Sequence, residues 1–294
     1  MQETAWGWLI ISYLFLAGAG SGAFVAAAAC DLFAPDWSKA LARAGSLVSG
    51  PLVAIGTMCL FFDLEAGFWQ PWRQIYLVSN LSSMISWGVL VLSVFIPVAV
   101  LYAAALNDIS VVGRFAKRYV RLLAAVGSFL ALATAGYTGV LIAVVNGVPF
   151  WNTPVIPVLF LASAMSTGLA IAMICAAVID INTIRSLSNL ALGHLVLLTV
   201  EGIVLMLFIF ISLTRSSEAA ASAMALISGA FSPLFWVFVV MLGILVPFAL
   251  SAVEYYEYGR LPKSLVVAAD LLILVGGMSL RALIIFSASP PQII

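Results

Sequence analysis

Three ionisable side chains, Glu201, Asp270 and Arg281, lie inside stretches that are otherwise apolar enough to sit in hydrocarbon. A charge at that depth costs about 3 kcal/mol or more unless it is partnered or wetted. Two kinds of reading explain them: a proton path or salt-bridged relay, or a structural role, either a Glu201–Arg281 pair or an Arg281 that snorkels outward. His194 is the only histidine in the chain, so a membrane-embedded b-type haem with two axial histidines is not expected. It stands beside a loop at the start of an apolar stretch, where a structural role is the simplest reading. Cys30, Cys59 and Cys175 are far apart and form no CxxC pair, so they read as small packing residues and not as ligands of an iron-sulfur cluster. No glycine-rich nucleotide loop in a strand context, P-loop or HExxH motif occurs.

The elements that must carry these groups follow from composition. Of 294 residues, 64% are hydrophobic and 8% charged, with zero formal net charge, whereas a soluble domain carries roughly a quarter charged residues. Apolar runs long enough for a bilayer core, about 20 residues each, occupy 8–30, 44–62, 85–105, 120–145, 155–179, 190–213, 232–252 and 264–287. The fold class predicted is an all-α integral membrane protein with eight transmembrane helices, arranged as two four-helix bundles side by side, residues 1–145 and 146–294. Met1-Gln2-Glu3 lacks a basic region, so the first run is expected to be a retained span and not a cleaved signal. Leu14-Phe15-Leu16-Ala17 recurs as Leu159-Phe160-Leu161-Ala162. Small residues follow both words and would allow close helix contact, and the four-helix offset predicts a repeat with unchanged orientation.

Basic residues resist translocation. Nine of the twelve fall in odd-numbered loops: Lys39, Arg43, Arg114, Lys117, Arg118, Arg121, Arg185, Arg260 and Lys263. Arg73 and Arg215 lie on the opposite side and Arg281 within the eighth run, so both termini are expected outside, away from the cytoplasm. The Arg114–Arg121 cluster reads as an anchor on anionic lipid head groups, and nucleic-acid binding is not expected. Trp69, Trp72 and Tyr76 read as an interfacial aromatic belt or as a surface covered by a partner subunit.

The most specific words are Gly136-Tyr137-Thr138-Gly139-Val140-Leu141, Pro149-Phe150-Trp151-Asn152 and Pro157-Val158-Leu159-Phe160-Leu161-Ala162-Ser163-Ala164. Further matches are the segment from Trp8 to Gly22, Asp63-Leu64, Ser86-Trp87-Gly88, Glu201 and Gly276-Gly277-Met278-Ser279-Leu280-Arg281. In order and placement these resemble the NrfD/PsrC family, the membrane subunits of polysulfide-reductase-like complexes. The resemblance implies a quinone-reactive, haem-free subunit of a bacterial or archaeal cytoplasmic (inner) membrane. Its implied partners are a 4Fe-4S ferredoxin-like iron-sulfur subunit and, through it, a molybdopterin-type or similar catalytic subunit. Menaquinone and ubiquinone are both compatible, and no haem or cluster is expected in this chain.

Under that reading Tyr137 could donate a hydrogen bond to a quinone carbonyl and Asp63 could pass protons, with Trp8, Trp87 and Thr138 completing the site. The plainer alternatives are a Tyr137 hydroxyl bonded to a neighbouring helix and an Asp63 in interfacial water. Departures from the family pattern fall in this region. Its Asp-Leu-Gly-Arg-Pro stands here as Asp63-Leu64-Glu65-Ala66-Gly67, and its Ser-Pro-Met-Ser-Trp-Gly as Ser83-Met84-Ile85-Ser86-Trp87-Gly88. A histidine that some relatives place near the outer end of the first helix is absent, leaving Trp8, Ser12 or Tyr13 as substitutes. The competing functional reading is a secondary transporter of a small solute or ion, for which an inverted repeat with broken midplane helices would be expected. A third is a passive anchor that binds no quinone.

Overall fold

The computed structural model describes residues 6–33, 38–63, 83–179, 190–257 and 261–288. In a bilayer every backbone polar group must be satisfied internally, which leaves the helix as the local solution for apolar runs of this length. The described residues contain no strand, and eight helices are long and apolar enough to cross a membrane. These are α1 (Trp8–Phe33), α2 (Lys39–Asp63), α3 (Met84–Leu106), α4 (Ser110–Ala143), α5 (Val155–Ile179), α6 (Ala191–Arg215), α8 (Ser232–Tyr256) and α9 (Lys263–Phe286). The short α7 (Ser217–Ile227) follows α6 and is capped by Ser216, whose hydroxyl accepts from the Ala219 N–H at 3.2 Å.

Several spans extend past their apolar runs. Helix α4 starts at Ser110, well before Val120, and takes in the basic residues Arg114, Lys117 and Arg118 through a tighter turn at Lys117–Tyr119. Helix α8 runs on to Tyr256, so Glu254 is helical although hydropathy ends the run at 252. Trp69, Trp72, Arg73, Tyr76, Arg185, Arg260 and the Leu64–Gly67 departure lie outside the described residues.

Helices α1 to α4 pack in a ring, each against its neighbours, and α5, α6, α8 and α9 form a second ring. The rings meet where α1 packs on α5, with α2 and α4 also touching α5 and α9 reaching α1. Within the spans, 67% of α1 and 72% of α5 is buried against 28% of α6 and of α8, so α1 and α5 form the centre and the latter two face lipid. Glycine explains how one helix can serve several neighbours. A β-carbon on Gly20 would lie 2.8 Å from Val53 of α2, and one on Gly22 would collide with the Ala164 carbonyl of α5. With no hydrophobic force between helices in lipid, such close backbone approach supplies the packing energy. The repeated Leu-Phe-Leu-Ala word therefore falls on the two central helices. On the far side α8 winds in the wide π register over Phe235–Leu245, bringing Gly243 against Gly276 of α9.

Candidate functional site

Near the end of the molecule that carries the termini, α1 and α4 each bury a phenol, Tyr13 and Tyr137. The Tyr137 ring lies directly over Gly88, where a β-carbon would collide with it, so the glycine of the Ser86-Trp87-Gly88 word makes the slot that the tyrosine fills. Tyr13 of α1 is wholly buried and within electrostatic reach of Tyr137. Its hydroxyl has no hydrogen-bond partner among the described residues. An orphaned buried hydroxyl costs about 1–3 kcal/mol, and such groups are few enough in folded proteins to call for an explanation.

The other predicted residues share that end of the molecule without forming one cluster. Asp63 is the last residue of α2 and half-buried. Trp87, one turn into α3, is 51% exposed. Thr138 is buried and donates to the Ala135 carbonyl of its own helix at 2.7 Å, so its hydroxyl is committed to the α4 backbone. Trp8 stands on the other side of α1. It meets Phe286 of α9 edge-on at 5.2 Å and lines an apolar groove of about 300 Å³ with Phe231, Phe238 and Leu283.

A second polar assembly occupies the junction of the two rings. Arg281 of α9 is completely buried. Its Nε donates to the Leu14 carbonyl at 3.2 Å, and its Nη1 donates to the Gly277 carbonyl at 2.8 Å and to Ser163 Oγ at 3.1 Å. The guanidinium lies 5.6 Å from the Phe15 ring centre and 5.2 Å from that of Phe160. These two phenylalanines occupy the same place in the repeated word, so α1 and α5 grip one cation from two sides. Ser163 also lies close to the Glu201 carboxyl, and Ser166 donates to Glu201 Oε2 at 2.6 Å. Glu201 and Arg281 thus make no direct ion pair. Serines of α5 stand between them, Ser163 on the guanidinium and Ser166 on the carboxyl, in a polar assembly that spans α9, α5 and α6.

Asp270 does not join this path. It lies toward the opposite end of α9, with its Oδ1 3.6 Å from His194 Nδ1 of α6, both side chains buried. Sequence reasoning undervalues Ser163 and Ser166, which count there only as small residues. Their signal is the spacing: both lie on α5 within one turn of each other, facing the helix that carries Glu201. Among the described residues no group of three or more His, Cys, Asp and Glu is placed to hold a metal ion.

The Pro149–Asn152 word acts as a clasp. Trp151 Nε1 donates to the Ile284 carbonyl at 2.8 Å and its ring lies 5.5 Å from Trp6. Asn152 donates to the Ala143 carbonyl at 2.9 Å and accepts from Arg215 at 3.1 Å. The α4–α5 connection is thereby tied to α9, to the segment before α1 and to α6.

Comparison with known proteins finds relatives along nearly the whole chain. The family model for polysulphide reductase, NrfD, matches residues 1–290. The polysulfide reductase C subunit of Wolinella succinogenes is 27% identical over 97% of this chain and 95% of its own length. Protein NrfD of Escherichia coli K12 is 28% identical over 97% and 95%, and the NrfD homolog of Haemophilus influenzae 25% over 96% and 94%. With its eight apolar helices and a family match spanning nearly its whole length, the protein belongs to the NrfD polysulphide reductase family of multi-pass membrane proteins.

Proposed function

We propose that this protein is the quinone- or quinol-reactive membrane anchor of a respiratory oxidoreductase complex, exchanging electrons with an iron-sulfur subunit docked at the end that carries the termini. The observation that carries the reading is the buried, unpartnered Tyr13 hydroxyl beside Tyr137. Two phenolic donors in an apolar surround suit a quinone head group, whose two carbonyl oxygens accept hydrogen bonds. When bound, the quinone would supply two-electron, two-proton chemistry, which the protein positions and tunes. Tyr13 and Tyr137 orient it by hydrogen bonding, Gly88 keeps Tyr137 in place, and Asp63 passes protons between this end of the bundle and water. Trp87 and Trp8 supply apolar walls toward lipid, and Thr138 braces the turn of α4 that carries Tyr137.

The first four helices, 1–145, hold this site and the last four, 146–294, the proton relay. Glu201 and Arg281 would carry protons through Ser163, with Asp270 serving the far end. The excess of Lys and Arg in the odd-numbered loops supports a cytoplasmic-membrane orientation with both termini outside, with Arg114, Lys117, Arg118 and Arg121 on anionic lipid. The partners proposed are a 4Fe-4S ferredoxin-like subunit and, beyond it, a molybdopterin-type or similar catalytic subunit, which supply the metal centres. Tyr13→Phe and Tyr137→Phe in the purified complex test the reading. We expect lower kcat with quinol, reduced co-purifying quinone and unchanged subunit assembly. Wild-type kinetics and quinone content in both variants would refute it.

A further inference from the structure

At the end of the second ring opposite the termini, helices α5, α6, α8 and α9 enclose a cavity of about 20 Å³, room for one water molecule. Its wall includes His194 of α6, Ser251 and Glu254 of α8, and Asp270 of α9. The three ionisable side chains are 3%, 4% and 2% exposed respectively. His194 Nδ1 and Asp270 Oδ1 stand 3.6 Å apart, and His194 Nε2 and Glu254 Oε2 are buried with no hydrogen-bond partner among the described residues. The Leu261 backbone N–H donates to Glu254. From α5 the wall receives Met173, and α9 adds Val266 and Ala269, so these three are the ionisable groups among the described lining. Glu257 and Lys263 stand at the adjoining helix ends. Two carboxyl groups and an imidazole sharing a space this small cannot all carry their full charges, because each charge is desolvated and the carboxylates repel. The arrangement holds protons.

One turn deeper on each helix the wall becomes apolar. Ala170 of α5, Leu198 of α6 and Ile273 of α9 form a buried cluster with Leu274 packed on it. A further turn on lie Ser166 and Glu201. His194 and Glu201 are seven residues apart on α6, about 10 Å along the axis at 1.5 Å per residue, and the plug fills the interval. We propose that His194, Asp270 and Glu254 form a proton-binding site that exchanges with the face opposite the termini, and that Ala170, Leu198 and Ile273 are the dry barrier separating it from Glu201. The proton relay is then two segments with a hydrophobic gate between them, and not one continuous wire.

Opening the gate tests this without any quinone present, so its failure leaves the quinone reading untouched. The full-length protein is reconstituted into phosphatidylethanolamine/phosphatidylglycerol vesicles holding a pH dye, and a potassium gradient with valinomycin drives proton entry. Wild-type vesicles should stay tight. Leu198→Ser should admit protons several-fold faster, and Leu198→Ser combined with Asp270→Asn should return to the wild-type rate. Tight Leu198→Ser vesicles overturn the barrier, and a leak that survives Asp270→Asn overturns the site. Infrared spectroscopy of the otherwise unaltered protein gives a reading that does not depend on the gate variant. A protonated-carboxyl band that shifts in D₂O should be lost in Asp270→Asn or in Glu254→Gln, and a band unchanged in both overturns the site.

Discussion

Replacing Arg281 with methionine tests the central assembly most directly. The change removes hydrogen bonds to Leu14, Gly277 and Ser163 and the guanidinium between Phe15 and Phe160. The Leu14 and Gly277 carbonyls are helix acceptors that keep their own N–H partners, and Ser163 stays close to Glu201, so those losses are small, about 0.6 kcal/mol each by the membrane average. The cation–π contacts add about 2 kcal/mol when desolvated. The larger effect falls on Glu201, whose charge is left in the bundle with hydroxyls alone. Removing one member of a buried charge pair costs about 3–5 kcal/mol; with a serine between the two groups, Arg281→Met is expected to lose no more than that from Glu201. Glu201→Gln keeps an amide for Ser163 and Ser166 and should cost less. The double variant should be more stable than the sum of the singles predicts, by about 1–3 kcal/mol of coupling. Reversible unfolding in mixed detergent micelles, run as a double-mutant cycle, measures this. Additivity within about 0.5 kcal/mol would refute a serine-bridged charge pair.

Gly22→Ala should destabilise by about 3 kcal/mol or more, the upper end of overpacking, because the new methyl meets the Ala164 carbonyl and only separation of α1 from α5 relieves it. Gly136→Ala is the control, since nothing lies within 4 Å of its β-carbon position; thermal melting should leave it at or above wild type. Gly88→Ala drives a methyl into the Tyr137 ring, and quinol turnover should fall while the complex still assembles; unchanged turnover would count against Tyr137. Asp108, between α3 and α4 and outside the spans, lies 2.8 Å from the Lys117 ammonium, which holds that carboxyl below the usual carboxylate range. The folded-state value is the lower one, so the pair's small stabilisation is present above the unfolded value and lost as pH falls through the folded one. Lys117→Met should return Asp108 to the ordinary range in an NMR titration.

Much of the site was legible because membrane burial makes polar residues conspicuous. Glu201, Asp270 and Arg281 stand out from composition alone, and all three prove buried in the second ring. Their grouping was not legible. A direct Glu201–Arg281 pair is the natural guess, but it requires α6 and α9 to bring the side chains within reach, and α5 stands between them offering serines instead. Asp270 reads as a third member in the sequence, whereas α6 and α9 run in the same direction and their N-terminal halves set it opposite His194. Glu254 escapes notice because hydropathy ends the seventh run before it, whereas backbone hydrogen bonding carries α8 through Tyr256. Trp8 and Tyr137 share an end of the molecule in sequence logic, yet the rotation of α1 about its axis turns Trp8 toward α9 and Tyr13 toward Tyr137.

Sequence by itself determined the class, the number of spans and the two central helices' vocabulary of small residues, because hydrocarbon admits few solutions and each is written locally, residue by residue, in apolar length and glycine spacing. Which polar groups meet was decided only by tertiary structure. Contact between helices depends on their rotation and crossing, and these are set by how closely Gly22 lets α1 approach Ala164 and how Gly243 meets Gly276. A helix carries its own hydrogen-bonding pattern in its sequence; the partner that its buried charge finds belongs to the packing of several helices at once.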